Sequence, residues 1–321
     1  MVNICLIGCG GVGRRHLEAI LKVKHEVNVE VVEPSVSSIE STRKLLPNFN
    51  NYFTNIDDVS DNIDICLIAT TSNVRKEVVL ELIKKKNVKN IILEKVVFQH
   101  ENDFDYVLKL LEDKGIKSWV NCHLRAQPIY IKLKKYLDSD CKNVFTYKYS
   151  DDFTLSTSAI HILDLFSYLC DDYDVVIESI DTPTQLKKSK HSDCVDFNGN
   201  MKVVNSKGDT LIVTKREATF GEHMSVSKYN NVYLETSEGD EIKNSIRMGY
   251  MYEHDSFSRH VISYVWQSSL TNSYVEDIIE KSDCDLSTLE DSANLHKIML
   301  NKFRVFLKEE YDYEVVECPI T

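Results

Sequence analysis

A glycine-rich turn between a short apolar strand and a helix constrains this chain more than any other feature. The run Ile4–Ile7 is typical of a buried parallel strand, and Gly8, Gly10 and Gly13 follow it in the spacing G-x-G-x-x-G. Glycines at these places permit a tight turn, close approach of a pyrophosphate, and close packing of the helix on the sheet. The helix N-terminus favours phosphate charge. The segment predicts cofactor contacts at Gly8, Gly10, Gly11, Val12 and Gly13.

An acidic residue ends the next predicted strand, Val27–Val32. Glu33 lies twenty residues beyond Gly13, where a carboxylate can accept hydrogen bonds from both ribose hydroxyls of an adenosine and would repel a 2′-phosphate. We therefore expect NAD in preference to NADP. The alternative is an ordinary strand–helix–strand unit with a loop glutamate, because a glycine pattern alone is weak evidence.

The length of 321 residues suits two domains. Strand and helix patterns alternate to about residue 122, which predicts an α/β Rossmann domain with a doubly wound parallel sheet over residues 1–122. Longer alternating runs and turn pairs such as Asn198-Gly199 follow, and they predict an α+β domain with an open, mostly antiparallel sheet over residues 123–321. Helices are expected at about Ser256–Ser268 and Leu289–Lys308, the second of which could pack back on the first domain.

Polar residues follow three of the predicted parallel strands. In a doubly wound sheet the carboxyl ends of the strands border the cofactor crevice, so these residues are candidate cofactor contacts. The contacts expected on this ground are Thr70, Thr71 and Asn73, after the third long strand. Glu94 and Lys95 follow the fourth strand, and Asn121 follows the fifth. Glu94 could instead be a structural cap, and Asn121 and Arg125 could be ordinary loop residues.

Composition excludes several classes of function. The net charge of -12 argues against nucleic-acid binding, and no apolar stretch is long enough for a signal peptide or a membrane span. The nine cysteines form no C-x-x-C pair, which predicts free thiols in a reducing, cytoplasmic compartment. Cys122 and His123 are adjacent, but no second pair at ligand spacing supports a metal site.

Four separated motifs together resemble one family. They are the glycine loop, Glu94-Lys95, the pair Asn121 and Arg125, and the run Ser158–Leu169, SAIHILDLFSYL. The chain is similar in these motifs to the Gfo/Idh/MocA group of NAD(P)-dependent sugar oxidoreductases. The resemblance implies a cofactor-binding Rossmann domain, and an antiparallel sheet that carries substrate residues and packs subunits into a homodimer or homotetramer. It also implies a sugar or nucleotide-sugar substrate, including roles in surface polysaccharide biosynthesis.

The same resemblance places catalytic groups at Lys95, His161 and Asp164, and substrate contacts at Arg125, Thr157 and His161. It also implies cofactor contacts at Glu94, Lys95 and Asn121. The chemistry needs these residue types independently. When a hydride moves between a carbinol carbon and nicotinamide, imidazole can take or return the hydroxyl proton near neutral pH. An ammonium group stabilises a developing alkoxide. His161 and Asp164 are spaced i, i+3, so they share one face of a helix. His161 could otherwise be a core histidine, and Lys95 a surface lysine.

Three positions depart from the family pattern. Val96 replaces the usual proline after Lys95, Thr157 replaces an aspartate four residues before His161, and Arg75 replaces a histidine. These departures leave two alternatives open beside the dehydrogenase. One is a cofactor-binding regulatory or scaffolding homologue without turnover. The other is an enzyme that uses the cofactor transiently, in a redox-assisted elimination or epimerisation.

Overall fold

The computed structural model describes residues 1–150, 154–181, 185–190, 193–215, 222–243 and 246–321. The chain forms two compact units. Unit 1 comprises Met1–Asn121, Trp266–Ala293 and Thr321, and unit 2 comprises Cys122–Val265 and Asn294–Ile320. The sequence predicts a second domain over residues 123–321, whereas the segment Trp266–Ala293 folds with unit 1.

Unit 1 is built on a seven-stranded sheet. Its strands are β1 (Val2–Ile7), β2 (Val27–Val32), β3 (Tyr52–Phe53), β4 (Asn62–Ile68), β5 (Asn87–Leu93), β6 (Lys117–Val120) and β17 (Ser287–Thr288). Its helices are α1 (Gly11–Ile20), α2 (Val36–Leu45), a 3₁₀ turn (Ile56–Asp58), α3 (Ser72–Lys85), α4 (Glu101–Asp113), α7 (Gln267–Lys281) and the start of α8 (Leu289–Tyr311).

The spatial order of these strands is β17-β6-β5-β4-β1-β2-β3. Strands β1 to β6 are all parallel, and β17 is antiparallel to β6. The chain leaves β1 on one side for β2 and β3, and returns on the other side at β4. The carboxyl ends of β1 and β4 therefore form a switch point, which is where open α/β sheets bind ligands.

Unit 2 is built on an eight-stranded sheet with the order β16-β15-β14-β13-β7-β12-β11-β8. Its strands are β7 (Val144–Tyr149), β8 (Val175–Asp181), β11 (Asn200–Asn205), β12 (Thr210–Lys215), β13 (His223–Lys228), β14 (Asn231–Lys243), β15 (Ile246–Glu253) and β16 (Ser258–Tyr264). A separate two-stranded ribbon joins β9 (Lys187–Lys188) to β10 (Val195–Asp196). The helices are α5 (Pro128–Lys134), α6 (Leu155–Cys170) and the remainder of α8.

One face of this sheet is covered by helices. Helix α6 is buried over most of its length, and its Phe166 ring meets the Phe145 ring of β7 at 5.4 Å between centroids. On β15, a Cβ at Gly249 would lie 3.0 Å from Ile129 of α5, so the absence of a side chain permits that close packing. All neighbouring strands are antiparallel except β7 and β12. The predicted fold class, a parallel Rossmann sheet followed by a mostly antiparallel sheet, is confirmed.

The helix expected at Ser256–Ser268 is wrong. Ser258–Tyr264 is instead the edge strand β16, whose residues alternate between half-buried and exposed. A short apolar run is compatible with the hydrophobic period of a helix and with that of a strand. The β-branched and aromatic residues Val261, Ile262 and Tyr264 favour a strand. The expected final helix at Leu289–Lys308 is confirmed as α8.

Candidate active site

The glycine loop of unit 1 has two positions at which any side chain would crowd neighbouring backbone atoms. Gly8 has a φ of +92°, and a Cβ at this position would lie 3.0 Å from the backbone of Ala69 and Thr70. A Cβ at Gly13 would lie 2.0 Å from the carbonyl oxygen of Gly8. The first and third glycines therefore allow the turn and the close packing of α1 on the sheet. Gly11, Val12 and Gly13 form the first turn of α1.

A cavity of about 580 Å³ opens at the switch point of this sheet. Gly8, Gly10, Glu33, Thr70 and Thr71 line it. The Glu33 carboxylate accepts hydrogen bonds from the backbone N–H groups of Cys9 at 2.7 Å and Ser35 at 2.9 Å. A carboxylate has about four acceptor sites, so these contacts orient Glu33 and leave capacity for ribose hydroxyls.

The residues of the cavity fit a dinucleotide. A Cβ at Gly10 would meet nothing within 4 Å, so this part of the loop is open to an approaching group. Gly10 caps α1 without any side-chain hydrogen bond, which leaves N–H donors of the first turn for phosphate oxygens. The buried hydroxyl of Thr70 has no hydrogen-bond partner among the described residues. Asn73, also predicted as a contact, is exposed in the first turn of α3 and is not part of the cavity lining.

Backbone hydrogen bonds extend the parallel register beyond the strand ends. The N–H of Glu94 donates to Ile68 at 3.0 Å, and that of Asn121 donates to Leu93 at 2.8 Å. Glu94, Lys95 and Asn121 thus lie side by side at the carboxyl edge. Lys95 is half-buried, and the Lys95–Val96 peptide bond is cis.

The Glu94 side chain accepts two hydrogen bonds on one oxygen. His16 Nε2 lies 2.8 Å from Glu94 Oε1, and the Asn121 amide donates to the same oxygen. Burial raises the pKa of Glu94, but hydrogen bonds from His16 and Asn121 and the charge of Lys95 outweigh burial and lower this pKa to about 2. Glu94 is therefore an ionised, buried carboxylate beside Lys95.

Arg75 holds the backbone that follows Lys95. It extends from α3, is 1% exposed, and donates to the carbonyl oxygens of Thr70, Val96 and Val97, the last at 2.9 Å. Burial lowers the pKa of Arg75 to about 10, and the carboxylate of Glu94 opposes that shift. In the sequence Arg75 is distinguished only as a departure from a family pattern, and its three acceptors are visible only in the structure.

Unit 2 brings together the residues predicted to act on the substrate. On α6, His161 is 7% exposed and Asp164 is fully buried. Arg125 Nη1 lies 3.5 Å from Asp164 Oδ1 and donates to the hydroxyl of Tyr173 at 2.9 Å. Burial lowers the pKa of Arg125, but Asp164 and Tyr173 outweigh burial and raise it. Arg125, expected either to contact a ligand or to be a loop residue, is part of this buried ionic cluster.

Two residues of this cluster are not predicted from the sequence. The His123 ring meets the His161 ring edge to face at 4.5 Å between centroids, and Tyr173 binds Arg125. They come from separate loops, and no spacing in the sequence links them to α6. Thr157, one turn before His161, has its hydroxyl 2.5 Å from that of Thr154. The arrangement places an imidazole, a second imidazole and a carboxylate–guanidinium pair within one unit, which is suited to proton transfer at a polar substrate.

A family model matches the N-terminal part of the chain. Residues 2–122 match the model of an oxidoreductase family with an NAD-binding Rossmann fold, GFO_IDH_MocA. This match confirms, over these residues, the resemblance noted from the motifs, and the family is one that binds NAD. No curated protein matches the sequence.

Solved structures share the fold over nearly the whole chain. GenD2 from gentamicin A biosynthesis, in complex with NAD, is 11% identical with a TM-score of 0.70, covering 93% of this chain and 92% of that chain. UDP-N-acetylglucosamine 3-dehydrogenase GnnA from Acidithiobacillus ferrooxidans is 12% identical with a TM-score of 0.69, covering 93% and 95%. An oxidoreductase from Agrobacterium radiobacter, in complex with NAD+, L-tartaric acid and magnesium, is 14% identical with a TM-score of 0.68, covering 93% and 94%. At these identities the likeness shows the fold.

Two further features concern only the described residues. None of their helices combines the length and apolar character needed to cross a membrane. Within the same part of the chain, no group of three histidine, cysteine or acidic side chains is arranged to hold a metal ion.

Proposed function

We propose that this protein is an NAD-dependent oxidoreductase that transfers a hydride between nicotinamide and a hydroxyl or keto carbon of a sugar or nucleotide sugar. The observation that carries the proposal is the cavity of unit 1, where Gly8, Gly10, Glu33 and Thr70 meet at the switch point. The family match over residues 2–122 supports the cofactor and the class of chemistry.

Each residue has a role in the reaction that follows from its chemistry. When bound, nicotinamide supplies the hydride acceptor or donor. The ammonium group of Lys95 stabilises the alkoxide that develops on the reacting oxygen. His161 takes the hydroxyl proton in oxidation and returns it in reduction. Asp164, held by Arg125 at 3.5 Å, lies one turn along α6 and orients the polar groups around His161.

The choice of NAD over NADP rests on Glu33. Its carboxylate is fixed by the N–H groups of Cys9 and Ser35, so it cannot turn away from a 2′-phosphate without losing two hydrogen bonds. Repulsion between the two anions disfavours NADP.

The substrate class is taken from the structural neighbours. One of them is a UDP-N-acetylglucosamine 3-dehydrogenase and another comes from gentamicin A biosynthesis. The nucleotide sugar in the name of the first supports a sugar or nucleotide sugar here, and surface polysaccharide biosynthesis is one setting in which such a substrate is used.

The test compares catalytic variants with matched controls. Lys95→Met and His161→Asn should bind NADH like the wild type, measured by nicotinamide fluorescence, and lose turnover on a panel of sugars and nucleotide sugars. Lys89→Met is the control for lysine, because Lys89 lies on β5, the strand that leads to Lys95, and has a mostly exposed side chain. His254→Asn is the control for histidine, because His254 is an exposed residue of unit 2 bonded to Glu235.

The outcomes separate the proposal from its alternatives. Turnover that survives in both catalytic variants would overturn the assignment of these residues. NADH binding by the wild type without turnover on any member of the panel would favour the regulatory homologue. Solvent label in the product without net NADH formation would indicate a redox-assisted elimination or epimerisation.

We also propose a cytoplasmic homodimer or homotetramer. All nine cysteines are free thiols, which fits a reducing compartment. The strand register places the exposed side chains of Val144, Ile212, Tyr252 and Val261 on the same face of the unit 2 sheet. A second copy could cover this face, and sedimentation of the purified chain as a monomer would refute the assembly.

A further inference from the structure

His16 is a buried histidine outside the residues assigned so far to chemistry. It lies on α1, three residues after Gly13, and is 2% exposed. Its Nε2 is 2.8 Å from Glu94 Oε1, and its Nδ1 is 2.9 Å from the Thr271 hydroxyl on α7. The imidazole thus joins the helix that begins at the glycine loop to the end of β5, within unit 1.

The charge on Glu94 fixes how this histidine is protonated at one nitrogen. An ionised carboxylate can only accept hydrogen bonds, so Nε2 of His16 must carry the proton in the bond to Glu94. The Thr271 hydroxyl can donate to a neutral Nδ1 or accept from a protonated one. The network is therefore satisfied in both charge states of His16.

The segment Glu94–Val97 is held at both of its ends. His16 and Asn121 hold the Glu94 carboxylate, and Arg75 holds the carbonyl oxygens of Val96 and Val97. Lys95 lies between these anchors. Its backbone position is thereby set by side chains from elsewhere in unit 1, although Val96 stands where proline is usual in the family.

We propose that His16 is a positioning residue for Lys95. By holding Glu94 against α1, it fixes the turn that presents the Lys95 ammonium group at the carboxyl edge of the sheet. The inference rests on the proposed function for its catalytic consequence, but the ordering of residues 94–97 can be tested without turnover.

The main variants are His16→Leu and His16→Gln. Leucine removes both hydrogen bonds at similar volume, whereas the glutamine amide can still donate toward Glu94. His16→Leu should bind NADH within about threefold of the wild type and lose roughly tenfold to a hundredfold in kcat, the scale expected when a catalytic group is displaced by up to about 1 Å. His16→Gln should recover most of that loss, with the KM for the sugar little changed in both.

A second readout does not require any substrate. Amide hydrogen exchange at residues 94–97 in the NADH-bound protein should be faster in His16→Leu than in the wild type and restored in His16→Gln, with exchange at residues 8–13 unchanged. If the wild type turns over no sugar, the proposed function fails while this exchange result still decides the role of His16.

Two results would overturn the positioning role. One is unchanged exchange at residues 94–97 in His16→Leu. The other is a loss of NADH affinity as large as the loss of kcat, which would place the effect in the cofactor site or the stability of the unit. If His16→Leu does not fold, Thr271→Val removes only the partner of Nδ1 and should give a smaller increase in exchange at residues 94–97. Unchanged exchange at these residues in Thr271→Val would then refute the proposal.

Discussion

Replacing Arg75 with methionine should lower the free energy of unfolding by about 1.5–6 kcal/mol. Methionine keeps an unbranched apolar side chain but leaves the carbonyl groups of Thr70, Val96 and Val97 without their donor. Hydrogen bonds to a charged group contribute about 1.5–3 kcal/mol each. Burial of the charge, which lowers the Arg75 pKa to about 10 from 12.5, costs on the order of 3 kcal/mol at about 1.4 kcal/mol per pKa unit. The net loss is the difference between these two terms.

The measurement is urea unfolding followed by circular dichroism. Lys76→Met is the matched control, since Lys76 is the next residue on α3 and pairs with Asp103 at 2.7 Å near the surface. That change should cost about 1 kcal/mol or less. The loss of unfolding free energy in Arg75→Lys should lie between those of Arg75→Met and Lys76→Met, because one ammonium group lacks the planar fork of donors. An Arg75→Met chain as stable as the Lys76→Met chain would refute this account of the segment after Lys95.

Two further predictions concern the glycine loop and Glu94. Gly13→Ala should unfold at lower urea concentration than the wild type, since its Cβ would lie 2.0 Å from the Gly8 carbonyl oxygen and overpacking costs about 1–3 kcal/mol or more. Gly10→Ala should unfold normally but bind NADH more weakly; equal unfolding midpoints for the two would contradict the geometry. For Glu94, the folded pKa of about 2 lies below the ordinary value of 4.5, so its ionisation stabilises the fold above that ordinary value and the stabilisation is lost as pH falls toward 2. The difference in unfolding free energy between the wild type and Glu94→Gln should be constant above about pH 5 and shrink by about 3 kcal/mol down to about pH 2; a difference independent of pH would contradict it.

Two predictions from the sequence were wrong because contacts between distant segments decide them. The run from Ser256 to Ser268 contains apolar residues that suit either a helix or a strand. Part of it pairs with β15 and is therefore the strand β16. The segment Trp266–Ala293 follows unit 2 strands in the chain and yet folds with unit 1. Contacts between distant segments determine both outcomes, and no window of the sequence records them.

The sequence by itself determined the cofactor-binding half of this protein. The strand, the glycine spacing and Glu33 fall within one strand–helix–strand unit, because phosphate and ribose binding need backbone turns and a carboxylate at short, fixed separations. Only the tertiary structure decided the surroundings of the proposed catalytic groups. His16 reaches Glu94 across 78 residues and Thr271 across 255, and Arg75 reaches three carbonyl oxygens in two loops. A buried polar side chain can be satisfied by any donor or acceptor that folding brings near it, so its partner leaves no spacing in the sequence.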